Sequence, residues 1–313
     1  MEDNRQKYRL VTRSNLDGLV SAVLLKKLDM LDDMLFVHPK EVQDGNVEIT
    51  KEDIVTNLPY VKSAHMAFDH RFDSRDEIKL NPNHILFTDA SSVSEIIYEY
   101  YGEKEVFSDD VLPLITAANK SKNADYTKEE ILEPKGWELL SFLTDPRTGL
   151  GRFRDFKISN YELMKKLVDQ CAQNSISEVL ASDDVKERIE LYHKYEKDFV
   201  DQLKRCVTVE GDVAVIDLRE EEIIYPGNRF VVYALFPEVS ASVHIFQGVG
   251  KQNTVFALGK SIFNKNNEKN IYDIVSKYGG GGHSDAGTCQ VVHAEVDTVC
   301  IELVDALTTK QYA

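Results

Sequence analysis

Short apolar runs and longer amphipathic stretches alternate along the first hundred residues. Residues 8–12 form a β-prone run, and residues 19–28 carry apolar side chains at the spacing of an α-helix. The further predicted elements are strands at 35–38, 63–69 and 84–88, an apolar run at 53–59, and a helix at 92–101. Because strands alternate with helices, the pattern predicts an α/β fold with a parallel sheet covered on both faces.

The pattern changes in the second half of the chain. Residues 111–173 are mostly helical, and residues 182–205 form a charged helix whose start Ser182 can cap. β-Branched and aromatic runs follow at 207–218, 229–236, 241–246 and 254–258, and a helix is predicted at 271–277. We therefore expect two domains that are joined by a connecting helix.

Charge narrows the range of partners. The chain has 37 basic and 53 acidic residues, which gives a net charge of −16. This balance argues against binding to long duplex DNA or to an anionic membrane, and no apolar stretch reaches the ~20 residues of a membrane span. The four cysteines have no disulfide-like or ligand-like spacing, so we expect reduced thiols and a cytoplasmic protein.

An acid, an imidazole and a guanidinium follow directly on the predicted strand at 63–69. Asp69 and His70 can both donate a lone pair to a divalent metal ion, whereas Arg71 cannot. Polar groups at the carboxyl ends of parallel strands form the sites of open α/β sheets. The right-handed crossover places Asp17, in the first strand-to-helix loop, near Asp69 at the same edge. Asp53 stands at the start of the apolar run at 53–59.

Four consecutive glycines, Gly279, Gly280, Gly281 and Gly282, precede His283. One or two glycines would suffice for a helix cap or a turn. Backbone N–H groups in a longer glycine run can surround phosphate oxygens, and His283 adds a side-chain donor. We therefore favour a phosphate-binding loop over a plain turn.

The ordered set of these motifs resembles the DHH/DHHA1 phosphoesterase superfamily, close to its exopolyphosphatase-like and oligoribonuclease-related members. The matching segments are residues 14–18, 53–60, 69–71, 119–124, 148–153 and 279–290, so the resemblance covers nearly the whole chain. It implies a DHH-like domain at 1–182, a linker helix at 183–206 and a smaller, mixed-sheet DHHA1-like domain at 207–313. It also implies two manganese or magnesium ions in the first domain and a phosphate or nucleotide at the glycine loop, with Arg229 as a further substrate-binding candidate.

Three positions depart from the family pattern. The metal ligands that match are Asp17, Asp53, Asp69 and His70, whereas Asn15 and Lys122 stand at aspartate positions and Arg71 at a histidine position. Together these changes add as much positive charge as two divalent ions carry. We hypothesise that Arg71 and Lys122 replace the metal ions and pair with Asp17, Asp53 and Asp69, because buried acids need a counter-ion.

Two classes of function follow from the resemblance. The favoured one is a pseudoenzyme that binds a nucleotide, another phosphate ligand or a partner protein in an interdomain cleft, without two-metal hydrolysis. The alternative is a phosphodiesterase for short oligonucleotides or nucleotides that uses Mn or Mg in a reduced site. In that case a single ion is held by Asp17, Asp53, Asp69 and His70, and His283 stabilises phosphate charge. A homodimer, or an assembly with a protein partner, stays open.

Overall fold

The computed structural model describes residues 6–70 and 81–309. The chain divides into two compact units. The first takes its described residues from 6–126 and 134–191, and the second from 127–133 and 192–309. Within the described residues, no helix is long and apolar enough to cross a bilayer.

The first unit contains a parallel sheet of five strands. They are β1 (Tyr8–Thr12), β2 (Leu31–Phe36), β3 (Asp53–Thr56), β4 (Met66–Asp69) and β5 (His84–Leu86), in the order β2-β1-β3-β4-β5. Its helices are α1 (Leu16–Lys27), α2 (Pro39–Gln43), α3 (Val93–Tyr101), α4 (Leu112–Asn123), α6 (Gly136–Thr144), α7 (Asn160–Gln173) and α8 (Ile176–Leu180). Every strand pair in this sheet is parallel, so all five strands end at the same edge.

Helix α1 lies at the centre of this unit. All its residues from Leu16 to Leu25 are buried, because the helix is apolar on nearly every side and packs against α3, α4 and α7. One face of the sheet is covered by a separate apolar cluster that includes Val11, Val55 and Ala67. The polar residues at the start of α1 are thereby held in a rigid setting.

The second unit contains a mixed sheet. Its strands are β6 (Val207–Glu210), β7 (Val213–Asp217), β8 (Ala241–Gln247), β9 (Thr254–Lys260), β10 (Gly281–His283) and β11 (Ala286–Val291), in the order β10-β11-β9-β8-β7-β6. Strands β7 and β8 are parallel, and the other pairs are antiparallel. Its helices are α5 (Lys128–Leu132), α10 (Val231–Leu235), α11 (Ile271–Val275) and α12 (Val296–Leu307). The predicted fold class, a parallel-sheet domain and a smaller mixed-sheet domain, is confirmed.

Two predicted elements need comment. The strand predicted at 229–236 is wrong, because residues 231–235 form the short buried helix α10. The predicted linker at 183–206 forms one continuous helix, α9 (Asp183–Cys206), and the division between the two units falls within it, after Leu191. The domain boundaries given above stay predictions.

Asp53 lies at the amino end of β3, where it forms an ion pair with Arg9 of β1. Arg9 Nε and Nη2 donate to the two carboxylate oxygens over 2.6 and 3.0 Å, and the Thr50 N–H donates over 2.7 Å. Asp53 is 1% exposed. This pair therefore ties the amino end of β3 to that of β1.

Replacing Asp53 by Ala should lower the free energy of unfolding by about 1–3 kcal/mol, because it leaves the Thr50 N–H and part of Arg9 without their acceptor. Urea denaturation measures the change. Asp32→Ala, at an exposed position of β2, is the matched control and should stay within about 0.5 kcal/mol of the wild type. Equal effects of the two substitutions would contradict a stabilising role of the Asp53 pair.

Candidate functional site

The carboxyl edge of the parallel sheet collects most of the candidate side chains of the first unit. Neighbouring strands β1, β3 and β4 end there, and the Thr56 hydroxyl donates to that of Thr12 over 2.7 Å, which links the ends of β1 and β3. Asn15 and Asp17 follow β1, and Asn57 follows β3. Asp69 is the last residue of β4, and His70 comes directly after it. The sheet topology thus places these residues at one edge.

Asp17 is the most buried acid of this edge, at 2% exposure. Its carboxylate accepts hydrogen bonds from the N–H groups of Ser94 at 2.9 Å and Val93 at 3.2 Å, in the first turn of α3. Burial alone would raise the pKa of Asp17. The ammonium of Lys122 and the two N–H groups outweigh this effect and hold the pKa below its ordinary value. Asp17 is therefore ionised at neutral pH without a metal ion.

Lys122 supplies the positive charge next to Asp17. It lies in the last turn of α4, its side chain is 14% exposed, and its Nζ is 3.4 Å from Asp17 Oδ2. The same Nζ donates a hydrogen bond to Asn57 Oδ1. The expected pairing of Lys122 with Asp17 is thus present in the structure.

Asn15 and the pair Asp69 and His70 complete this edge. Asn15 is the N-cap of α1, and its Oδ1 accepts from the Gly18 N–H over 2.9 Å. His70 Nδ1 lies 4.0 Å from Asp69 Oδ1, with the side chains 9% and 26% exposed. Two side chains with metal-ligand chemistry are therefore adjacent at the end of β4.

The structure separates Asp53 from this group. Asp53 begins β3, so it lies at the amino edge of the sheet, and its oxygens already accept from Arg9 and Thr50. The residue that β3 brings to the carboxyl edge is Asn57, which the sequence analysis did not single out. Its position directly after the apolar strand was the signal that could have identified it. Arg71 lies outside the described residues.

The described residues fit a two-metal centre poorly. Such a centre needs several carboxylates that neutralise both ions. The oxygens of Asn15 and Asn57 are occupied by Gly18 and Lys122, and Asp17 is paired with Lys122. Among the described residues, no group of three or more His, Cys, Asp or Glu is arranged to hold a metal ion. Asp69 and His70 together could ligate one ion.

The four-glycine run leads from a short 3₁₀ helix into β10, the first strand of a hairpin in the second unit, and three of its glycines have structural roles. Gly279 ends a short 3₁₀ helix with φ +68°. A Cβ at Gly280 would lie 2.4 Å from the Thr288 carbonyl oxygen, and one at Gly282 would lie 2.3 Å from that of Ala286. Gly281 differs, because a Cβ there meets no atom within 4 Å and its φ is not positive. Of the four glycines, only Gly281 is required neither by a positive φ nor by a close backbone contact, and the space next to it is open.

His283 is the last residue of β10, and one hydrogen bond determines the tautomer of its neutral ring. Its Nδ1 accepts a hydrogen bond from the Asp285 N–H over 3.2 Å, so the proton of the neutral ring belongs on Nε2. Lys260 Nζ lies 3.2 Å from Asp285 Oδ1. Burial raises the pKa of Asp285, but Lys260 and Ser284 outweigh it and hold the pKa below its usual value. The hairpin thus offers an imidazole N–H and the exposed Gly281, and Lys260 at the end of the neighbouring strand β9 pairs with its turn.

Arg229 lies close enough to His244 of β8 for its charge to act on that imidazole. The guanidinium stacks on the Phe230 ring at 4.0 Å. Burial and the nearby Arg229 lower the pKa of His244 to about 4. His244 is a second residue that the sequence analysis missed, since a lone histidine in a β-prone run carries no motif.

Acidification should destabilise the protein through His244. Because its pKa in the folded state lies below the unfolded value, the unfolded chain takes up a proton first as the pH falls from about 6.5 towards 4. The free energy of unfolding is therefore retained above pH 6.5 and decreases by about 3 kcal/mol as the pH falls to 4. Urea denaturation between pH 7 and 4.5 should show a smaller loss in His244→Gln. The control His193→Gln, at an exposed position of α9, should keep the wild-type loss of stability.

The chain matches no protein-family model and no curated protein sequence. Among solved structures it is similar to the pGpG-specific phosphodiesterase PggH from Vibrio cholerae. The two are 48% identical, with a TM-score of 0.82, and the match covers 97% of this chain and 100% of PggH.

Similarity to RecJ concerns the fold alone. RecJ from Thermus thermophilus in complex with Mg²⁺ is 12% identical, with a TM-score of 0.53, over 98% of this chain and 50% of that chain. Exonuclease RecJ bound to manganese is also 12% identical, with a TM-score of 0.50, over 98% and 91% of the two chains. The motifs, the two sheets and the match to PggH agree: the chain belongs to the DHH/DHHA1 phosphoesterase superfamily.

Proposed function

We propose that this chain is a phosphodiesterase that acts on short linear nucleotides, with a 5′-phosphorylated guanine dinucleotide such as pGpG as its substrate. The observation that carries the proposal is the 48% identity to a pGpG-specific phosphodiesterase along nearly the full length of both chains. The sequence analysis favoured a pseudoenzyme, and this similarity supports its alternative instead.

Hydrolysis of a phosphodiester requires an activated water and compensation of the charge that develops on the phosphate oxygens. Asp69 and His70 are the residues that would hold a single Mn²⁺ or Mg²⁺ ion. When bound, such an ion lowers the pKa of its water and attracts the phosphate. The polypeptide contributes orientation, because β4 fixes both side chains at the edge of a buried sheet.

The glycine hairpin would bind a substrate phosphate. Neutral His283 presents an N–H at Nε2, since Nδ1 accepts from Asp285. The bare surface of Gly281 allows a phosphate group to approach the backbone closely. Arg229, beside His244, adds a guanidinium that can pair with a phosphate. These groups account for binding of a nucleotide rather than for bond cleavage.

A second candidate function is binding without hydrolysis. The ion pair between Lys122 and Asp17 favours it, because a carboxylate expected to hold a metal ion is neutralised by a side chain. Both candidates use the same ligand chemistry, so a binding measurement alone does not separate them.

Incubation of the purified chain with pGpG and Mn²⁺ should yield GMP, measured by liquid chromatography. Asp69→Asn and His70→Ala should each lower kcat/KM at least about 100-fold, since each removes one of two adjacent ligands. The control Asp32→Asn, at an exposed position near the amino end of β2, should retain activity. Binding of pGpG without GMP release at any Mn²⁺ concentration would favour the second candidate and reject hydrolysis.

Gly281→Ala should weaken binding of pGpG about tenfold without loss of stability, because its methyl group points into open space that the ligand is proposed to fill. Gly279→Ala is the matched comparison in the same loop. Its φ of +68° should cost about 1 kcal/mol of stability while leaving affinity unchanged. Calorimetric titration and urea denaturation of both variants separate the two effects. Unchanged affinity in Gly281→Ala would contradict the proposed approach of the ligand.

A further inference from the structure

We propose that Lys122 and Asn57 form a subsite for an oxygen of the scissile phosphate, where fixed N–H donors do the work of a metal ion. This inference rests on the proposed function and assigns a role to two residues of the same site. It concerns the part of the carboxyl edge between the ends of β1 and β3.

The orientation of the Asn57 amide is determined by Lys122. The ammonium donates to Asn57 Oδ1. A flipped amide would place its NH₂ group against the ammonium, donor against donor. The oxygen of Asn57 is thereby used, and what the residue offers to a ligand is its NH₂ group.

That NH₂ group has no acceptor among the described residues. Asn57 Nδ2 is buried and makes no hydrogen bond there. Leaving a buried amide donor unpaired costs about 1–3 kcal/mol, so such a group calls for a specific acceptor. Because the Lys122 ammonium lies next to this donor, the acceptor that fits here is an anionic oxygen. A metal cation would be repelled by the ammonium and by the NH₂ group of Asn57.

Backbone geometry holds this donor in place. Asn57 has φ +59°, in the left-handed region that asparagine tolerates better than most residues. It follows β3 directly, and the neighbouring Thr56 is buried and hydrogen-bonded to Thr12. A donor that is fixed before the ligand arrives loses little entropy on binding.

Asp17 does not make the subsite repulsive for an anion. Its charge is balanced by Lys122 at 3.4 Å and by two N–H groups at the amino end of α3. Those N–H groups and the helix dipole contribute further positive potential. The carboxylate therefore serves to position the ammonium, which a long lysine side chain would otherwise leave mobile.

Metal-free titration with inorganic phosphate in the presence of EDTA tests the subsite on the full chain. The wild type should bind phosphate, and Asn57→Asp and Lys122→Met should each weaken binding about 10- to 100-fold, because each removes a charge-assisted contact. Lys120→Met, at a neighbouring position of α4 where the ammonium is bound to Glu138, is the control and should keep wild-type affinity.

Lys122→Met leaves Asp17 without its counter-ion, so the double variant Asp17→Asn/Lys122→Met keeps the test valid if the single variant unfolds. It should be folded and still bind phosphate weakly. A separate titration with Mn²⁺ alone should show at most one ion per wild-type chain, and one more in Asn57→Asp/Lys122→Asp.

Two Mn²⁺ ions per wild-type chain, or wild-type phosphate affinity in the folded Lys122 and Asn57 variants, would overturn the subsite. The subsite and the proposed function can be rejected independently of each other. If pGpG is not hydrolysed while phosphate binding depends on both residues, the subsite stands and the phosphodiesterase proposal falls. If pGpG is hydrolysed while phosphate affinity is unchanged by substitution of Lys122 or Asn57, only the subsite is rejected.

Discussion

One buried carboxylate, that of Asp17, connects the helices around the carboxyl edge of the first sheet. It belongs to α1, accepts two hydrogen bonds from the amino end of α3, and pairs with Lys122 of α4. A charge at 2% exposure is costly unless it is compensated. Lys122 supplies this compensation, and its ammonium in turn fixes the orientation of the Asn57 amide.

The ammonium of a lysine and a divalent metal ion compensate a buried carboxylate in different ways. The ion must be recruited from solution and brings open coordination positions for water and substrate. The lysine is always present, needs no recruitment, and offers N–H donors but no ligand position. A site that keeps Asp69 and His70 for one ion and Lys122 for the second charge would combine both properties in one edge of the sheet.

Most of the fold could be predicted from residue patterns, because β1 is a short β-prone run, α1 is a long apolar run, and α3 begins at a capping serine, Ser92. The short run 231–235 could not, since five β-branched and apolar residues suit a strand or a buried helix equally well, and tertiary packing decides. The glycine run was only partly interpretable. Close backbone contacts explain Gly280 and Gly282, and these contacts exist only in the folded hairpin.

The candidate site was predicted in part for a related reason. Asp17 and Asp69 follow from the ends of β1 and β4, whereas Lys122 and Asp53 were selected through the resemblance to the family, and Asp53 stands at the amino end of β3. The carboxylate of Asp53 was given more weight than the position of this residue along β3. Position was the better guide, because every parallel strand delivers only its last residues to the functional edge.

The left-handed backbone at Asn57 also bears on how such a site can change over time. Few side chains other than glycine, asparagine and aspartate suit a φ of +59°, so the realistic alternatives at this position are few. Asparagine and aspartate have nearly the same shape and differ mainly in charge. A lineage could therefore pass between a cation-bearing site and a carboxylate-rich one through coordinated exchanges at residues 57 and 122, with the surrounding scaffold left unaltered.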